Sequence, residues 1–132
     1  MVMQFTIAVH GSPYQSSSNE HALGFCRAAL AAGHQIVRVF FYHDGVYTAL
    51  ASRQVPQDEA DTTAAWQALA SEADVELCVC IANALKRGVV DSGEADRHNL
   101  PQPSLAAGFE IVGLGQLVDA MLQADRYIEF PA

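Results

Sequence analysis

Residues 75–91, VELCVCIANALKRGVVD, contain the transition that decides the fold. Residues 75–81 form a short, continuous apolar run, which is typical of a strand buried on both faces. A helical segment follows at once through Ala84 and Leu85 and ends near Arg87 and Gly88. A buried strand that leads directly into a helix is the repeating unit of a parallel sheet with helices on its faces.

The same alternation of strand and helix extends in both directions from this stretch. Further strands are predicted at residues 5–9, 36–42, 109–112 and 127–130. Helices are predicted at roughly 19–32, 60–73, 92–99 and 114–124, the last with Leu117, Val118, Met121 and Leu122 turned inward. Right-handed crossovers then give an α/β fold, a three-layer, doubly wound, mostly parallel five-stranded sheet of the flavodoxin-like kind. We expect residues 1–132 to form a single domain.

Composition and charge exclude several classes of function. Apolar residues make up 51% of the chain, which is enough for a buried core. The 7 basic residues face 15 acidic ones, and the net charge is -8, so direct binding to nucleic acid or to an anionic membrane is not expected. The N-terminal stretch MVMQFTIAVHGSPY has no basic region and no long apolar segment, so we expect no signal peptide. Three cysteines, an odd number, favour a cytoplasmic protein with free thiols.

The strand ends direct attention to Cys80. In doubly wound sheets the reactive site lies beyond the carboxyl ends of the strands, here residues 10–14, 42–47 and 80–83. Cys80 ends the third predicted strand just before a helix, where the helix dipole and free amide groups favour a thiolate. Such a thiolate is a nucleophile or a carrier of transferable sulfur. The alternative is that Cys80 is simply a buried thiol, since free cysteines are among the most buried residues.

The other two cysteines are interpreted as core residues. Cys78 shares a face of the strand with Cys80, but residues two apart in an extended strand are too far from each other for an easy disulfide. Cys26 lies on the inner face of the first predicted helix. His10 and His43 follow two strand ends, where they could meet near Cys80 and activate its thiol. The more common alternative is that both are exposed loop histidines. No phosphate-binding loop, dinucleotide fingerprint or metal-ligand spacing is present, so no cofactor and no metal are expected.

Several segments together resemble the TusD/DsrE family of sulfur-relay proteins. The most specific are residues 40–47, FFYHDGVY, combined with residues 80–91, CIANALKRGVVD. Further matches are residues 11–14, GSPY, the helical Trp66, residues 109–117, FEIVGLGQL, and then Asp125, Arg126 and Phe130. The resemblance covers essentially the whole chain. Cys78 is a departure from the common pattern, and it raises the alternative of a second thiol that resolves a persulfide on Cys80.

The resemblance implies a DsrE-like sulfurtransferase in which Cys80 carries a persulfide. Tyr42, His43 and Arg87 are the candidates for lining the site. It also implies a heterohexamer with two related subunits, TusB-like and TusC-like, a small sulfur-carrier donor and a TusE-like acceptor. The sulfur would end in 2-thiouridine at the tRNA wobble position, without direct contact between this chain and nucleic acid. The alternatives are a DsrE-type subunit of a dissimilatory sulfur-oxidation complex and a non-catalytic structural subunit. A flavodoxin-like nucleotide binder is disfavoured because a phosphate loop is missing.

Overall fold

Five strands and five α-helices alternate along the chain in the computed structural model, which describes residues 1–132. The strands are β1 (Gln4–Val9), β2 (Gln35–Phe41), β3 (Glu76–Cys80), β4 (Phe109–Val112) and β5 (Arg126–Phe130). The helices are α1 (Ser18–Ala31), α2 (Thr62–Ala73), α3 (Ile81–Lys86), α4 (Ser92–Arg97) and α5 (Leu114–Gln123). Every predicted strand and helix is present, with its ends displaced by at most about two residues, the usual uncertainty of helix boundaries.

The sheet has the strand order β4-β3-β2-β1-β5, and each neighbouring pair is parallel. The chain adds strands outward from β1 to β4 and then crosses back to place β5 on the other side of β1. This reversal of direction requires helices on both faces of the sheet, because each crossover is right-handed. The predicted α/β fold is therefore confirmed, and the sheet is parallel throughout.

The two faces of the sheet carry cores of different size. Helices α1 and α2 pack against each other on one face, over a large cluster that includes Ile7, Val39, Phe41 and Trp66. Helix α5 packs over β1 and β2 on the other face, where the Ala120 carbonyl accepts a 2.7 Å hydrogen bond from the Thr6 hydroxyl. No helix is long and apolar enough to span a membrane.

The predicted inner face of α5 is wrong. Of the four residues expected to point inward, only Leu117 packs against the sheet. Exposed apolar side chains instead form a stripe on the outer side of the helix: Leu114 (52%), Val118 (52%), Met121 (40%) and Leu122 (80%). The residue that α5 buries is Ala120, whose small side chain lets the helix lie close to β1. An apolar stripe indicates a helix face that needs covering, but it does not indicate whether the same chain covers it.

Two loops at the carboxyl edge of the sheet are fixed by one buried side chain. Asn19 Oδ1 accepts hydrogen bonds from Trp66 Nε1 at 2.8 Å and from Thr48 Oγ1 at 3.2 Å. Its Nδ2 donates to the Gly11 carbonyl at 3.0 Å. Asn19 thereby connects the loop after β1 with the 3-10 helix His43–Ala49, which follows β2. Because buried amides without partners are costly, this satisfied network holds both loops in one arrangement.

The 3-10 helix lies unusually close to the end of β1. The Gly45 amide donates to the His10 carbonyl at 3.1 Å, and a Cβ atom at Gly45 would overlap the carbonyl oxygen of Val9. His43, the first residue of this 3-10 helix, has a φ of 47°, in the left-handed region. No helix was predicted between residues 43 and 49. The close approach sets the position of the residues that follow β2 relative to the ends of β1 and β3.

Candidate active site at the end of the third strand

Cys80 is held by two backbone elements at once. It is the last residue of β3, in register with Val112 of β4, and it is also the N-cap residue of α3. Its side chain lies on the face that α5 covers, in a small cluster with Phe40, Cys78 and Val112. Cys78 and Cys80 share this face, as predicted. Cys80 is only 2% exposed.

The Cys80 sulfur accepts a hydrogen bond from Asn83. The distance from Asn83 Nδ2 to Cys80 Sγ is 3.1 Å. Asn83 is the third residue of α3, and a polar side chain at this position reaches back to the N-cap residue, as in a capping box. The sequence analysis did not single out Asn83. The three-residue spacing between a strand-end cysteine and an amide was the signal that would have identified it.

Arg87 lies behind Asn83, one side chain removed from the sulfur. Its Nη1 donates to the Asn83 backbone carbonyl at 3.1 Å and lies 3.5 Å from Asn83 Oδ1. Its Nε donates to Asp44 Oδ1 at 2.7 Å. The amide oxygen of Asn83 therefore faces a cation, which leaves the amide nitrogen to face Cys80. Asp44, like Asn83, was not a predicted site residue.

Tyr42 and His43 have different relationships to the thiol. Tyr42 packs against the cluster that contains Cys80, with its ring centroid 6.0 Å from that of Phe40. The His43 ring stands edge-on to Tyr42 at 4.7 Å and to His10 at 5.2 Å. Of the two alternatives, the structure has the one in which the histidine rings are neighbours. No hydrogen bond joins either imidazole to Cys80, so the structure does not pair a histidine with the thiol.

His10 is influenced by three features of its surroundings. Its burial lowers the pKa of the imidazole below 6.5, the nearby Glu129 carboxylate acts in the opposite direction, and His43 lowers the pKa further. The neutral imidazole is therefore favoured around pH 7. This pair lies at the ends of β1 and β2, beside the Cys80 cluster rather than within it.

The other two cysteines are core residues, as predicted. Cys26 and Cys78 are completely buried, and all three cysteines are free. Burial raises the pKa of each of these two thiols to about 12. For Cys78 the nearby Arg38 guanidinium offsets part of this effect. Cys80 is the only one of the three whose sulfur accepts a hydrogen bond from a side chain.

A shallow cleft adjoins the Arg87–Asp44 pair. It has a volume of about 400 Å³ and is lined by Ser12, Tyr14, Gln15, Asp44, Tyr47 and Leu50. Its walls come from the two loops that Asn19 holds in place. No group of three or more histidine, cysteine or acidic side chains is arranged to hold a metal ion. The functional groups that meet at this edge of the sheet are a thiol, an amide and a guanidinium.

The molecule is thus a parallel α/β domain with a hydrogen-bonded cysteine at the end of the interior strand β3, where such folds place their reactive sites. The chain belongs to the DsrE/DsrF-like family, whose model matches residues 3–130. The sulfurtransferase TusD homologs of Pseudomonas aeruginosa and Vibrio parahaemolyticus are 47% and 46% identical to it over 128 residues. That length is 97% of this chain in both cases, and 97% and 98% of the two relatives.

A second group of comparisons agrees with this assignment. The putative sulfurtransferase DsrE of Allochromatium vinosum is 42% identical over 128 residues, 97% of this chain and 98% of the relative. The crystal structure of the ychN protein from E. coli matches 98% of this chain and 100% of its own with a TM-score of 0.75. At 24% identity, that match concerns the fold alone. The resemblance to the TusD/DsrE family and the expectation of a sulfurtransferase are confirmed.

Proposed function

We propose that Cys80 carries sulfur as a persulfide and passes it to the thiol of a TusE-like acceptor. The relay would end in 2-thiouridine at the tRNA wobble position, and this chain would work in the cytoplasm, where thiols stay reduced. The observation that carries the proposal is the 3.1 Å hydrogen bond from Asn83 Nδ2 to the Cys80 sulfur. It distinguishes Cys80 from the two enclosed thiols, whose neutral form is stabilised by burial.

The chemistry requires one nucleophilic sulfur and little else. In the loading step the Cys80 thiolate attacks the outer sulfur of a donor persulfide, a new S–S bond forms, and the donor leaves as a thiolate. In the release step an acceptor thiolate attacks the outer sulfur on Cys80, and the electron pair of the broken S–S bond returns to Cys80 Sγ. Each step exchanges one S–S bond for another, so no oxidant or reductant is consumed.

The burial of Cys80 implies a local opening. With 2% of its surface exposed, Cys80 is enclosed in a cluster against which Tyr42 and Leu117 pack. A donor persulfide reaches the sulfur only after such a side chain moves aside. Once loaded, the outer sulfur extends about 2 Å beyond Sγ, the length of an S–S bond, and is the more accessible atom. The loaded form is therefore the form that an acceptor can engage.

The proposed partners are proteins. The net charge of -8 opposes direct contact with tRNA, so nucleic acid would meet a later member of the relay. The exposed stripe of α5, formed by Leu114, Val118, Met121 and Leu122, is an apolar surface that a protein partner would cover. We assign it to one of the two related subunits, TusB-like or TusC-like, of a heterohexamer. The small sulfur carrier and the acceptor would instead approach Cys80.

Mass spectrometry of the Cys80 peptide tests the assignment. The chain is incubated with a cysteine desulfurase, cysteine and a small sulfur carrier, and digested without reductant. We expect the Cys80 peptide to gain about 32 Da, the mass of one sulfur atom in a reversible persulfide. Cys26→Ser, a matched control in the core, should load in the folded protein as wild type does. Sulfur uptake by Cys80→Ser equal to that of wild type would contradict the proposal.

Two alternatives have specific support. The first is a DsrE-type subunit that performs the same chemistry in a sulfur-oxidation complex, and the putative sulfurtransferase DsrE of Allochromatium vinosum is 42% identical to this chain. Deleting the gene distinguishes the two functions. Loss of 2-thiouridine from tRNA would indicate a role in tRNA thiolation, and loss of sulfur oxidation would indicate a role in that process. The burial of Cys80 favours a structural subunit. In that case the thiol would resist both alkylation at neutral pH and loading with sulfur.

A further inference from the structure

We infer that Asn83 is a catalytic residue for sulfur transfer, and that its amide stabilises the negative charge on Cys80 Sγ when a persulfide is released. This inference rests on the proposed function. The inference goes beyond the proposed function because it assigns a role to a side chain other than the cysteine. It also explains why Arg87 and Asp44 are arranged behind that side chain rather than beside the sulfur.

The first observation is the direction of the amide. An asparagine side chain has one end that donates hydrogen bonds and one end that accepts them. The guanidinium of Arg87 donates to the Asn83 carbonyl and lies 3.5 Å from Asn83 Oδ1, so the amide oxygen faces a permanent donor. The reverse orientation would place Nδ2 against a cation that cannot accept a hydrogen bond. The amide nitrogen is therefore kept directed at Cys80 Sγ.

The second observation is that Arg87 is itself anchored. Its Nε donates to Asp44 Oδ1 at 2.7 Å, and Asp44 lies in the 3-10 helix after β2. The chain of contacts runs Asp44, Arg87, Asn83, Cys80 and crosses from the end of β2 to the end of β3. Because Asp44 offsets much of the guanidinium charge, the group presented to the sulfur is a neutral, oriented donor.

The third observation concerns where charge develops. In the release step the acceptor thiolate attacks the outer sulfur, and Cys80 Sγ becomes the leaving thiolate. A leaving group departs faster when its negative charge is stabilised. A donor already placed 3.1 Å from that atom meets the charge without reorganisation. In the loading step Cys80 Sγ is the attacking atom rather than the leaving group, and a donor that stabilises its negative charge also makes it a weaker nucleophile.

Three full-length variants test this inference. Asn83→Ala removes the donor, and Asn83→Asp keeps the shape but places a carboxylate oxygen near the sulfur. Lys86→Ala is the matched control, because Lys86 is an exposed cation of the same helix without a hydrogen bond or ion pair. Each variant is loaded with glutathione persulfide, and the transfer of the added sulfur to 2-mercaptoethanol is followed on the Cys80 peptide. We expect release to slow about tenfold or more in Asn83→Ala and further in Asn83→Asp, as for loss of a hydrogen bond to a charged group.

A second measurement is independent of sulfur transfer. The rate of Cys80 alkylation by iodoacetamide is recorded against pH for the same variants. A smaller side chain that merely opens access raises the rate equally at every pH, whereas loss of the donor moves the profile to higher pH. We expect Asn83→Ala and Asn83→Asp to move it and Lys86→Ala to leave it in place. Wild-type profiles together with wild-type release rates in both Asn83 variants would overturn the inference.

The two proposals fail in different ways. If no sulfur loads on Cys80 in wild type, the proposed function is wrong, and the inference about release falls with it. A shifted alkylation profile in the Asn83 variants would then still show that the amide favours the thiolate. If sulfur loads and leaves normally but neither profile nor release depends on Asn83, the function stands and the inference is wrong.

Discussion

Arg87 Nε donates a 2.7 Å hydrogen bond to Asp44 Oδ1 and so joins the C-terminal end of α3 to the 3-10 helix after β2. The pair is partly solvated, with 22% of the Arg87 side chain and 59% of the Asp44 side chain exposed. Ion pairs in such surroundings contribute little to stability. The main effect of this pair is therefore to fix the position of the Arg87 guanidinium, which in turn fixes the Asn83 side chain.

Asp44→Ala should affect reactivity more than stability. We expect the free energy of unfolding to fall by less than about 1 kcal/mol, while transfer of sulfur from Cys80 slows because Arg87 loses its anchor. Glu76→Ala is a matched control: Glu76 pairs with Arg38 at a similar exposure, 57%, but away from the Asn83 network. Urea unfolding and the release assay measure the two effects. Equal release rates in the two variants would show that the Asp44 anchor is unnecessary.

Gly45→Ala should destabilise the chain and disturb the site. A Cβ atom at this position overlaps the Val9 carbonyl, so the 3-10 helix must shift, at a cost of about 1–3 kcal/mol. The shift displaces Asp44 and should slow sulfur release as Asp44→Ala does. Gly24→Ala is the control, because nothing lies within 4 Å of a Cβ atom there and alanine is the better helix former. We expect Gly24→Ala to raise the midpoint of thermal unfolding, and an unchanged midpoint in Gly45→Ala would contradict the close approach.

Stability should decline in alkaline solution because of the two enclosed thiols. Burial raises the pKa of Cys26 and Cys78 to about 12, above their value of about 9 in an unfolded chain. The unfolded state therefore loses these protons first, so the stabilisation is complete below pH 9 and is lost as the pH rises toward 12. Each thiol contributes at most about 1.4 kcal/mol per pH unit in that interval. Urea unfolding from pH 8 to 10.5 should show a shallower decline in Cys26→Ala, although that variant starts from a lower stability.

Mild acid should destabilise the chain through His10. Because burial lowers its pKa in the folded state, the unfolded state binds a proton first as the pH falls below about 6.5. Stability is thus retained above that pH and lost below it. We expect the thermal midpoint to fall between pH 7 and 5.5, and to fall less in His10→Asn. His21→Asn, at an exposed position on α1, should retain the wild-type dependence; equal curves for the two variants would rule out His10.

Leu122→Glu should disrupt assembly without unfolding the chain. Leu122 is 80% exposed, so a carboxylate there remains solvated in the isolated chain and the thermal midpoint should change little. In a complex with the related subunits, the same carboxylate would be buried without a partner. Co-purification with TusB-like and TusC-like chains should therefore be lost in Leu122→Glu and retained in the exposed neighbour variant Gln123→Glu. Intact complexes of Leu122→Glu would place the interface elsewhere.

The order of strands and helices could be predicted because each element has its own apolar pattern. The run around β3 and the periodicity of α1 depend only on neighbours in sequence, so their positions follow from local rules. The inner face of α5 could not be predicted in this way. Its stripe of Leu114, Val118, Met121 and Leu122 has the periodicity of a core-facing helix, yet in this chain it is turned to solvent.

The candidate site could be predicted in part. The rule that places sites at strand ends pointed to Cys80, Tyr42 and His43, and Arg87 was a candidate as a cation close to Cys80 in sequence. Asp44 was missed because its contact with Arg87 joins residues 43 positions apart, and a segment without apolar periodicity positions it. Whether His10 and His43 contact each other, and whether either contacts the thiol, depends on side-chain packing that sequence spacing does not describe.

The register of β3 has a consequence for how a sulfur atom can travel. Cys80 is paired with Val112 on one side and begins a helix on the other, so its backbone is fixed on two sides. On a fixed backbone, rotation of the cysteine side chain moves its sulfur atom by no more than a few ångströms. If Cys80 carries sulfur as proposed, its sulfur atom stays close to a fixed backbone. The donor and the acceptor would then have to bring their own thiols to Cys80 on mobile segments.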